Sequence, residues 1–378
     1  MAVDSGTLAG IDDWPIIQQR YEAWWHGQAI DRALIGLTAP KIESADEVVP
    51  PEQLLDYWTN PERVLARVKR NLDATYSCGD AFPIAQPVGG GLVAVLAAFL
   101  GARVRLIDTR TAWSGHVIDD WQSRPRFAFD PTNEWWLRVA RLLSAAAERA
   151  AGRYCVSIPD LNGPGEVLAR LRGTEPLAVD LLENPEAVLA AMPEINQAWY
   201  RYWQACNGII HQHVGGYVFW MGMWSELPAT DLQTDFSIMV SKPMFDRFFL
   251  PSVEEQTRLV ERSIYHLDGP GAVRHLDSLL DLPRLSAIQW VPGAGAPPVS
   301  YWLPLLRRVQ ARGKGLWLWA EPWEVPILLA ELEPEGLCLK AHCSSPGEAD
   351  DLLALACHTW SRRHWLVPGS DAWETRRA

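Results

Sequence analysis

Short apolar runs alternate along the chain with longer stretches in which apolar residues recur every three or four positions. Runs of about 4–8 apolar residues bounded by Gly, Pro or Asp are typical of buried strands, and the longer period is typical of amphipathic helices. The pattern predicts strands at 33–37, 80–86, 154–159, 218–224, 263–267, 287–291, 315–320 and 336–341.

Helix start signals lie between these runs. Asn184 precedes a proline, as an N-cap does, and Ser345 with Glu348 forms a capping-box pattern. Strands separated by helices predict parallel βαβ units, so we predict an α/β protein made of a single (β/α)8 barrel, the TIM-barrel architecture. A doubly wound open sheet is the alternative, disfavoured because no GxGxxG motif follows the first strand.

The predicted barrel occupies residues 31–360, with a helical N-terminal extension at 1–30 and a peripheral tail at 361–378. The first residues lack the basic and apolar segments of a secretory signal. The longest apolar stretch, 89–101, is too short to span a bilayer. Six cysteines without CxxC pairs argue against a disulfide framework. We therefore expect a cytoplasmic protein.

Composition and charge narrow the classes of partner. The chain is 48% hydrophobic and 21% charged, which is typical of a globular protein. Its 34 basic and 46 acidic side chains give a net charge of −12. Nucleic acids and anionic membranes both require a basic surface, so neither is an expected partner. A small-molecule substrate is the expectation that remains.

His266 and Asp268 stand at the end of the fifth predicted strand, followed at once by a Gly-Pro-Gly turn. Residues two apart on a strand point to the same face, so the imidazole and the carboxylate project together. The glycines allow the backbone to turn sharply just past them. Ligands bind at such strand ends in α/β enzymes, so the pair is a candidate metal site or acid–base pair.

Three other carboxylates are candidate catalytic groups. Asp160 follows the third predicted strand, Asp235 shares a face of its segment with Gln233, and Glu321 ends a run that contains Trp319 on the same face. A desolvated carboxylate has a raised pKa, which suits proton transfer. The alternative for each is a hydrogen-bonded or surface carboxylate without a catalytic role.

The 20 tryptophans favour a pocket with aromatic walls. Aromatic faces bind flat apolar groups, and they bind methylammonium or sulfonium cations through cation–π attraction. The alternative is that the indoles fill layers between the barrel and its helices. The candidate substrate-binding tryptophans, all near predicted strand ends, are Trp220, Trp224, Trp290 and Trp319.

Two segments resemble the uroporphyrinogen decarboxylase superfamily, which also contains zinc methyltransferases that serve corrinoid proteins and coenzyme M. Residues 163–175, GPGEVLARLRGTE, are similar to the family's segment after its third strand. Residues 235–251, DFSIMVSKPMFDRFFLP, are similar to its fourth-strand exit and the following helix. The likeness spans most of the chain and implies the same barrel.

In the methyltransferase branch, a His-x-Cys pair and a distant second cysteine bind zinc. The resemblance matches His266 to that histidine, puts Asp268 in the place of the first cysteine, and matches Cys343, 75 residues after Asp268, to the later cysteine. It implies zinc or a harder divalent metal held by these three residues, with His342 as the substitute for Cys343. This sequence departs from the decarboxylase pattern, because residues 38–41 stand where the decarboxylases have an arginine-rich turn after their first strand.

The expected function is a metal-dependent methyl- or one-carbon-group transferase acting on a small molecule, with a corrinoid protein as an external partner. The first alternative is a metal-free decarboxylase or lyase. There, His266 and Asp268 act as acid and base, and Lys41 or Arg274 holds a substrate carboxylate. The second alternative is a non-catalytic barrel that binds a ligand or a corrinoid.

Overall fold

The computed structural model describes residues 8, 11, 13–42, 47–89, 92, 95–211, 213 and 215–365. The strands are β1 Leu34–Pro40, β2 Thr75–Gly79, β3 Ile84–Ala85, β4 Val104–Leu106, β5 Ala112–Ser114, β6 Cys155–Val156, β7 Tyr217–Phe219, β8 Met223–Ser225, β9 Ala229–Gln233, β10 Arg262–Asp268, β11 Ala287–Val291, β12 Gly315–Trp319 and β13 Leu337–His342. The helices are α1 Trp14–Trp25, α2 Leu54–Thr59, α3 Pro61–Ala74, α4 Val95–Phe99, α5 Glu134–Ala150, α6 Pro164–Arg172, α7 Thr174–Glu183, α8 Pro185–Ile210, α9 Lys242–Phe248, α10 Leu250–Leu259, α11 Leu276–Leu280, α12 Leu303–Ala311, α13 Val325–Glu331 and α14 Pro346–Trp365.

The central sheet contains seven strands in the order β2-β1-β13-β12-β11-β10-β9. β2 runs antiparallel to β1, and every other neighbouring pair in this sheet is parallel. Strands such as β11 are nearly continuous apolar runs because both of their faces are covered. Parallel strands end at one edge of a sheet, so the carboxyl ends of β9 to β13 and β1 lie together.

The short strands β3 and β6 form a separate parallel pair. Backbone hydrogen bonds flank it: Asp80 N donates to Ile35 O at 2.7 Å beside β1, and Ile158 N donates to Val218 O at 3.1 Å beside β7. Among the described residues these ladders do not join into one continuous ring of eight strands. The α/β prediction is confirmed, and the closed barrel stays a prediction.

The predicted parallel strand at 218–224 is wrong, because that segment is the antiparallel hairpin of β7 and β8. Gly222 turns the chain there with a φ of +69°, a left-handed conformation that glycine adopts without strain. The parallel strand at this place in the sheet is β9, whose five residues are all buried. Its sequence, Ala-Thr-Asp-Leu-Gln, contains no apolar run, so hydrophobicity alone did not reveal it.

Helix α1 packs on β1 and β8, α6 begins beside the end of β9, and α8 packs on helices α5, α6 and α10. Tyr21 and Trp24 of α1, and Trp199 of α8, are buried in the hydrophobic core. Gly163 precedes α6 where it meets β9, and a Cβ at this position would lie 1.6 Å from Gln233 O. Glycine is therefore required for the approach of α6 to the sheet.

None of the described helices combines the length and apolar character needed to cross a membrane. The division of the chain into extension, barrel and tail stays a prediction, and most of residues 361–378 lie outside the described part.

A buried ionic group lies beside β1 and β13, and we call it the Asp80 cluster; its members are Arg20, Tyr21, Arg32, Asp80 and Lys340. The Asp80 carboxylate accepts hydrogen bonds from Arg32 Nη2 at 3.0 Å and from Ile35 N at 2.9 Å. Lys340 Nζ donates to Tyr21 Oη at 2.8 Å, and burial lowers the pKa of Lys340. Each charged side chain in this cluster has a hydrogen-bonded partner, as buried charges require.

Candidate metal centre

Asp235, His266 and Asp268 converge at the carboxyl edge of the central sheet. Asp268 is the last residue of β10, and His266, two residues before it, shares its face. Asp235 begins the 3-10 turn Asp235–Met239, which follows β9. One ligand atom from each of the three side chains lies within 4.8 Å of the other two. His266 Nε2 is 3.9 Å from Asp235 Oδ1.

The turn that carries Asp235 is anchored by two neighbouring segments. Phe236 N donates a hydrogen bond to Glu166 Oε2 of α6 at 3.0 Å. His275 Nε2 donates to Ser237 O at 2.9 Å. These contacts fix the position of the Asp235 carboxylate relative to β10.

The imidazole of His266 is oriented by a glutamine on the next strand. Gln289 pairs in register with His266, and its side-chain oxygen is hydrogen-bonded to His266 Nδ1. Because a carbonyl oxygen only accepts, Nδ1 carries the proton and Nε2 presents its lone pair towards Asp235. Asp235 Oδ1 is buried and has no hydrogen-bond partner among the described residues. Such an oriented imidazole beside an unpartnered carboxylate oxygen suits a divalent cation.

Two further carboxylates enlarge the site, and we call the whole group the His266 cluster; its members are Asp160, Asp231, Asp235, His266 and Asp268. Burial and the neighbouring Asp160 carboxylate together raise the pKa of Asp231 to about 7. Burial also raises the pKa of Asp235 to about 6, against the lowering effect of His266. The cluster thus contains carboxylates that are costly to ionise without a cation.

Asp160, predicted as a catalytic group, belongs to this cluster. Its Oδ1 accepts hydrogen bonds from Gln233 Nε2 at 2.6 Å and from Asn162 N at 2.8 Å. Burial raises the pKa of Asp160, while these hydrogen bonds and His266 lower it. Asp160 therefore also orders the loop after β6.

The donor set fits a divalent metal. Imidazole nitrogen and carboxylate oxygen are both ligands that zinc accepts, and a three-ligand site leaves a position for substrate. Two carboxylates also favour harder ions such as Mn²⁺. A cation here would supply the missing partner of Asp235 Oδ1 and offset the repulsion among the carboxylates.

The structure brings Asp235, and not Cys343, to the His266–Asp268 pair. β11 and β12 separate β13 from β10. Cys343 follows β13 and is fully buried, and Cys78 and Glu348 are among the groups near its thiol. Burial raises the pKa of its thiol. The predicted grouping of Cys343 with the pair is corrected on this ground.

Strand alternation explains this correction. Successive side chains on a strand face opposite ways, so His342 and Cys343 point to different sides of β13. His342 Nδ1 contacts Thr38 Oγ1 at 3.1 Å and is exposed at the carboxyl edge. His342 therefore faces the mouth, although it is not one of the three converging ligands.

Glu321 lies apart from the His266 cluster. It is exposed at the start of the 3-10 turn Pro322–Glu324, where its N–H donates to Glu324 Oε2 at 2.9 Å. This arrangement caps the turn, which is the non-catalytic alternative for a carboxylate after a strand.

The four predicted substrate-binding tryptophans occupy different environments. Trp220 lies beside the site, its ring centroid 5.8 Å from that of His266. Trp224 and Trp290 are buried and pack on other tryptophans, Trp14 and Trp302 respectively. Trp319 is half-exposed on β12. Trp290 follows Gln289, so strand alternation directs its indole away from His266.

Lys41 and Arg274, predicted to hold a substrate carboxylate, are both exposed. Lys41 follows β1, and its backbone N–H donates to Ala74 O at 2.7 Å. Arg274 Nε donates to Gly271 O at 2.8 Å, within the turn that follows Asp268. Arg274 therefore braces the turn beside the site, and the substrate-binding roles of both residues stay predictions.

Sequence reasoning did not single out Asp231, Gln233 or Gln289 as site residues. Each is a buried polar residue within a central strand. That is the signal that would have found them, because a polar side chain inside a buried strand needs a partner. Gln289 in Ala-Ile-Gln-Trp-Val is the clearest example.

Comparisons with known proteins give a fold and no family. No protein-family model matches the chain, and no curated protein matches it either. Among solved structures, a methyltransferase from Methanosarcina mazei is similar to it with a TM-score of 0.58 and 14% sequence identity, over 91% of this chain and 99% of that chain. At this identity the likeness shows a shared α/β fold, and the superfamily stays a prediction.

Proposed function

We propose that this protein is a metal-dependent methyl- or one-carbon-group transferase of the uroporphyrinogen decarboxylase type, acting on a small molecule at the mouth of a (β/α)8 barrel. One observation carries the proposal: the buried, unpartnered Asp235 Oδ1 lies with ligand atoms of His266 and Asp268 inside a 4.8 Å group. The methyltransferase of similar fold supports the reaction class.

The proposed ligands are Asp235, His266 and Asp268, so Asp235 takes the place first given to Cys343. Zinc is the leading metal, and a harder divalent ion is the alternative. A corrinoid protein as external methyl donor belongs to the same proposal and rests on the sequence resemblance alone.

Each polar group has a stated role in this proposal. The metal, when bound, lowers the pKa of an acceptor thiol or similar nucleophile and positions it. Gln289 holds the imidazole so that Nε2 faces the centre. Asp231 takes up or returns the acceptor's proton near neutral pH, because its pKa is about 7. Trp220 covers the edge of the imidazole and limits the access of water.

Elemental analysis of purified protein tests the metal. We expect about one divalent metal per chain in the wild type and a loss of most of it in Asp235→Asn and His266→Ala. Asp73→Asn is the matched control, because Asp73 is an exposed carboxylate paired with Lys69 on α3. A wild-type protein without stoichiometric metal, or an Asp235→Asn variant that keeps it, would contradict the proposal.

A metal-free decarboxylase or lyase is the second candidate. It is favoured by the raised pKa of Asp231, because a carboxyl group that keeps its proton near neutral pH is a general acid. His266 and Asp268 would then exchange protons with the substrate. Activity that survives a strong chelator and Asp235→Asn, but is lost in Asp231→Asn, would favour this reaction. Tight ligand binding without turnover would instead indicate a non-catalytic barrel.

A further inference from the structure

The tip of the β7–β8 hairpin, residues 220–222, connects the His266 cluster with the Asp80 cluster, and we call it the hairpin tip. At one end, the Trp220 ring centroid lies 5.8 Å from that of His266, with the two ring planes at 75°. At the other end, Gly222 O accepts a hydrogen bond from Lys340 Nζ at 3.2 Å. Three consecutive residues of one turn therefore contact both clusters.

Lys340 is the donor on which the Gly222 carbonyl mainly depends. Tyr21 Oη also lies 3.2 Å from Gly222 O, but it has a single proton and lies closer, at 2.9 Å, to Asp80 O. Lys340 Nζ has a proton for each of its two acceptors, Gly222 O and Tyr21 Oη. Loss of the Lys340 amine would leave Gly222 O to compete with Asp80 O for one hydroxyl proton.

The amine reaches Gly222 O because the strand beside Lys340 carries a glycine. Gly36 on β1 pairs in register with Lys340 on β13. A Cβ at position 36 would lie 2.6 Å from Lys340 Nζ and 2.9 Å from its Cδ. Both distances are too short for packed carbon and nitrogen atoms, so an alanine there would displace the end of the lysine from its two acceptors.

The hairpin tip is a tight turn, so a movement of Gly222 is passed on to Trp220. Gly222 N donates to Phe219 O at 2.9 Å and closes the turn. A second anchor lies at the other end, where Gln86 Nε2 donates to Trp220 O at 2.9 Å. Gln86 is exposed and Lys340 is buried, so water replaces the first anchor more readily than the second.

Trp220 and Gln289 hold the His266 imidazole from two directions. The side-chain oxygen of Gln289 is hydrogen-bonded to Nδ1, whereas the Trp220 indole packs nearly perpendicular to the ring. Groups around the ligands of a metal site fix their orientation and limit the access of water. The position of Trp220 therefore bears on the affinity of this site for a metal.

We propose that Lys340 is a positioning residue for the candidate metal centre. Its hydrogen bond to Gly222 O sets the hairpin tip, and the hairpin tip holds Trp220 against the His266 imidazole. Lys340 thus acts through Trp220. The inference deepens the proposed function, on which its effect on metal binding rests.

Fluorine NMR of the metal-free protein, labelled with 5-fluorotryptophan, tests the link between Lys340 and Trp220. The loss of one resonance in Trp220→Phe assigns Trp220, and a shift of that resonance in His266→Ala reports its contact with the imidazole. We expect Lys340→Met, which removes the donor, to shift or broaden the Trp220 resonance. Gly36→Ala should do the same, because it displaces the amine and leaves residue 340 a lysine.

Lys314→Met is the matched control for these spectra. Lys314 Nζ also donates to two backbone carbonyls, Leu282 O and Leu285 O, each at 2.7 Å, but it lies at the amino end of β12. We expect the Trp220 resonance of this variant to equal that of the wild type. An unchanged Trp220 resonance in Lys340→Met overturns the inference, and Gly36→Ala decides the question where Lys340→Met does not fold.

Metal affinity, measured by competition with a chromophoric chelator, tests the link between Trp220 and the site. We expect Trp220→Ala to lower the affinity about 10-fold and Lys340→Met to lower it about 3- to 10-fold. In the double variant, Lys340→Met should cause no further loss, because Lys340 acts through a side chain that is already absent. Losses that multiply in the double variant would show an effect independent of Trp220 and overturn the positioning role.

The two proposals fail separately. Purified protein without stoichiometric metal overturns the proposed function, and the fluorine spectra of the metal-free protein still decide whether Lys340 positions Trp220. Stoichiometric metal, with an unchanged Trp220 resonance and an unchanged affinity in Lys340→Met, overturns the positioning role and leaves the metal-dependent function standing.

Discussion

The Asp80 cluster and the His266 cluster are both buried groups of charged side chains, yet their charges are satisfied to different degrees. Asp80 is fully buried, and its carboxylate meets two arginines and the N–H of Ile35. In the His266 cluster several carboxylates share one imidazole, burial raises the pKa of Asp231 and Asp235, and Asp235 Oδ1 has no hydrogen-bond partner among the described residues. The charges of the first cluster are paired within the protein, whereas those of the second are only partly paired by the described residues.

Both clusters include side chains from the same face of the central sheet. The register runs from His266 through Gln289 and Trp317 to Cys338, and Lys340 is two residues beyond Cys338. Burial alone therefore does not separate a structural cluster from a functional one. The two clusters differ instead in how many hydrogen-bonded or ionic partners each charged side chain has within the protein.

The largest expected effect is on stability, at the Asp80 cluster. Asp80→Asn leaves the Arg32 guanidinium buried without its counter-charge, and we expect a loss of about 3–5 kcal/mol in the free energy of unfolding. Urea unfolding of the metal-free protein measures it. A loss below about 1 kcal/mol would show that the charges of the Asp80 cluster are no better paired than those of the His266 cluster.

Metal binding is expected to stabilise the His266 cluster. At a metal concentration 100 times the dissociation constant, Zn²⁺ or Mn²⁺ should raise the free energy of unfolding by about 2.7 kcal/mol. Asp235→Asn should abolish most of this gain, and Asp73→Asn should keep it. The comparison breaks down if the metal stabilises Asp235→Asn as much as the wild type.

Gln289 tests whether the orientation of His266 matters. Gln289→Leu removes the acceptor at His266 Nδ1, and loss of such a hydrogen bond to a metal-binding histidine typically lowers metal affinity about 10- to 100-fold. Competition with a chromophoric chelator measures the affinity. Gln289→Glu, which retains an acceptor oxygen, should recover most of it; equal loss in both variants would indicate a packing effect.

Asp231 makes the metal-free protein sensitive to pH. Burial raises its pKa from 3.8 to about 7, so between about pH 4 and pH 7 the folded protein holds a proton that the unfolded chain has released. Stability therefore falls as the pH rises through this window. The free energy of unfolding of the wild type falls between pH 5 and pH 8, and Asp231→Asn should make this fall smaller by about 1.4 kcal/mol or more, the equivalent of one pKa unit. Urea unfolding at the two pH values checks it, and an unchanged slope would contradict it.

The smallest effect is expected at Glu321. Glu321→Gln should change the free energy of unfolding by less than about 1 kcal/mol, because the residue is an exposed cap. Metal content should equal that of the wild type. A variant that lost metal would return Glu321 to the candidate site.

Much of the fold followed from apolar periodicity. The strand predicted at 287–291 is β11, and the predictions at 263–267, 315–320 and 336–341 differ from β10, β12 and β13 by one residue at each end or less. β11 and β12 are nearly continuous apolar runs, as strands covered on both faces are, whereas β10 and β13 also contain polar residues such as His266 and Lys340. β9 was not predicted, because Asp231 and Gln233 on its inward face interrupt any apolar run. The hairpin at 218–224 was predicted as one strand, because its glycine turn lies within an otherwise apolar run.

The sequence by itself determined that helices alternate with buried strands, and that His266 and Asp268 share a face, because both depend on local periodicity. Only the tertiary structure decided that Asp235 joins the pair and Cys343 does not. That outcome depends on which strands are neighbours, on the 3-10 turn after β9 and on the alternation of side chains at the end of β13. The same holds for the partners of buried charges, because residues distant in the chain supply them.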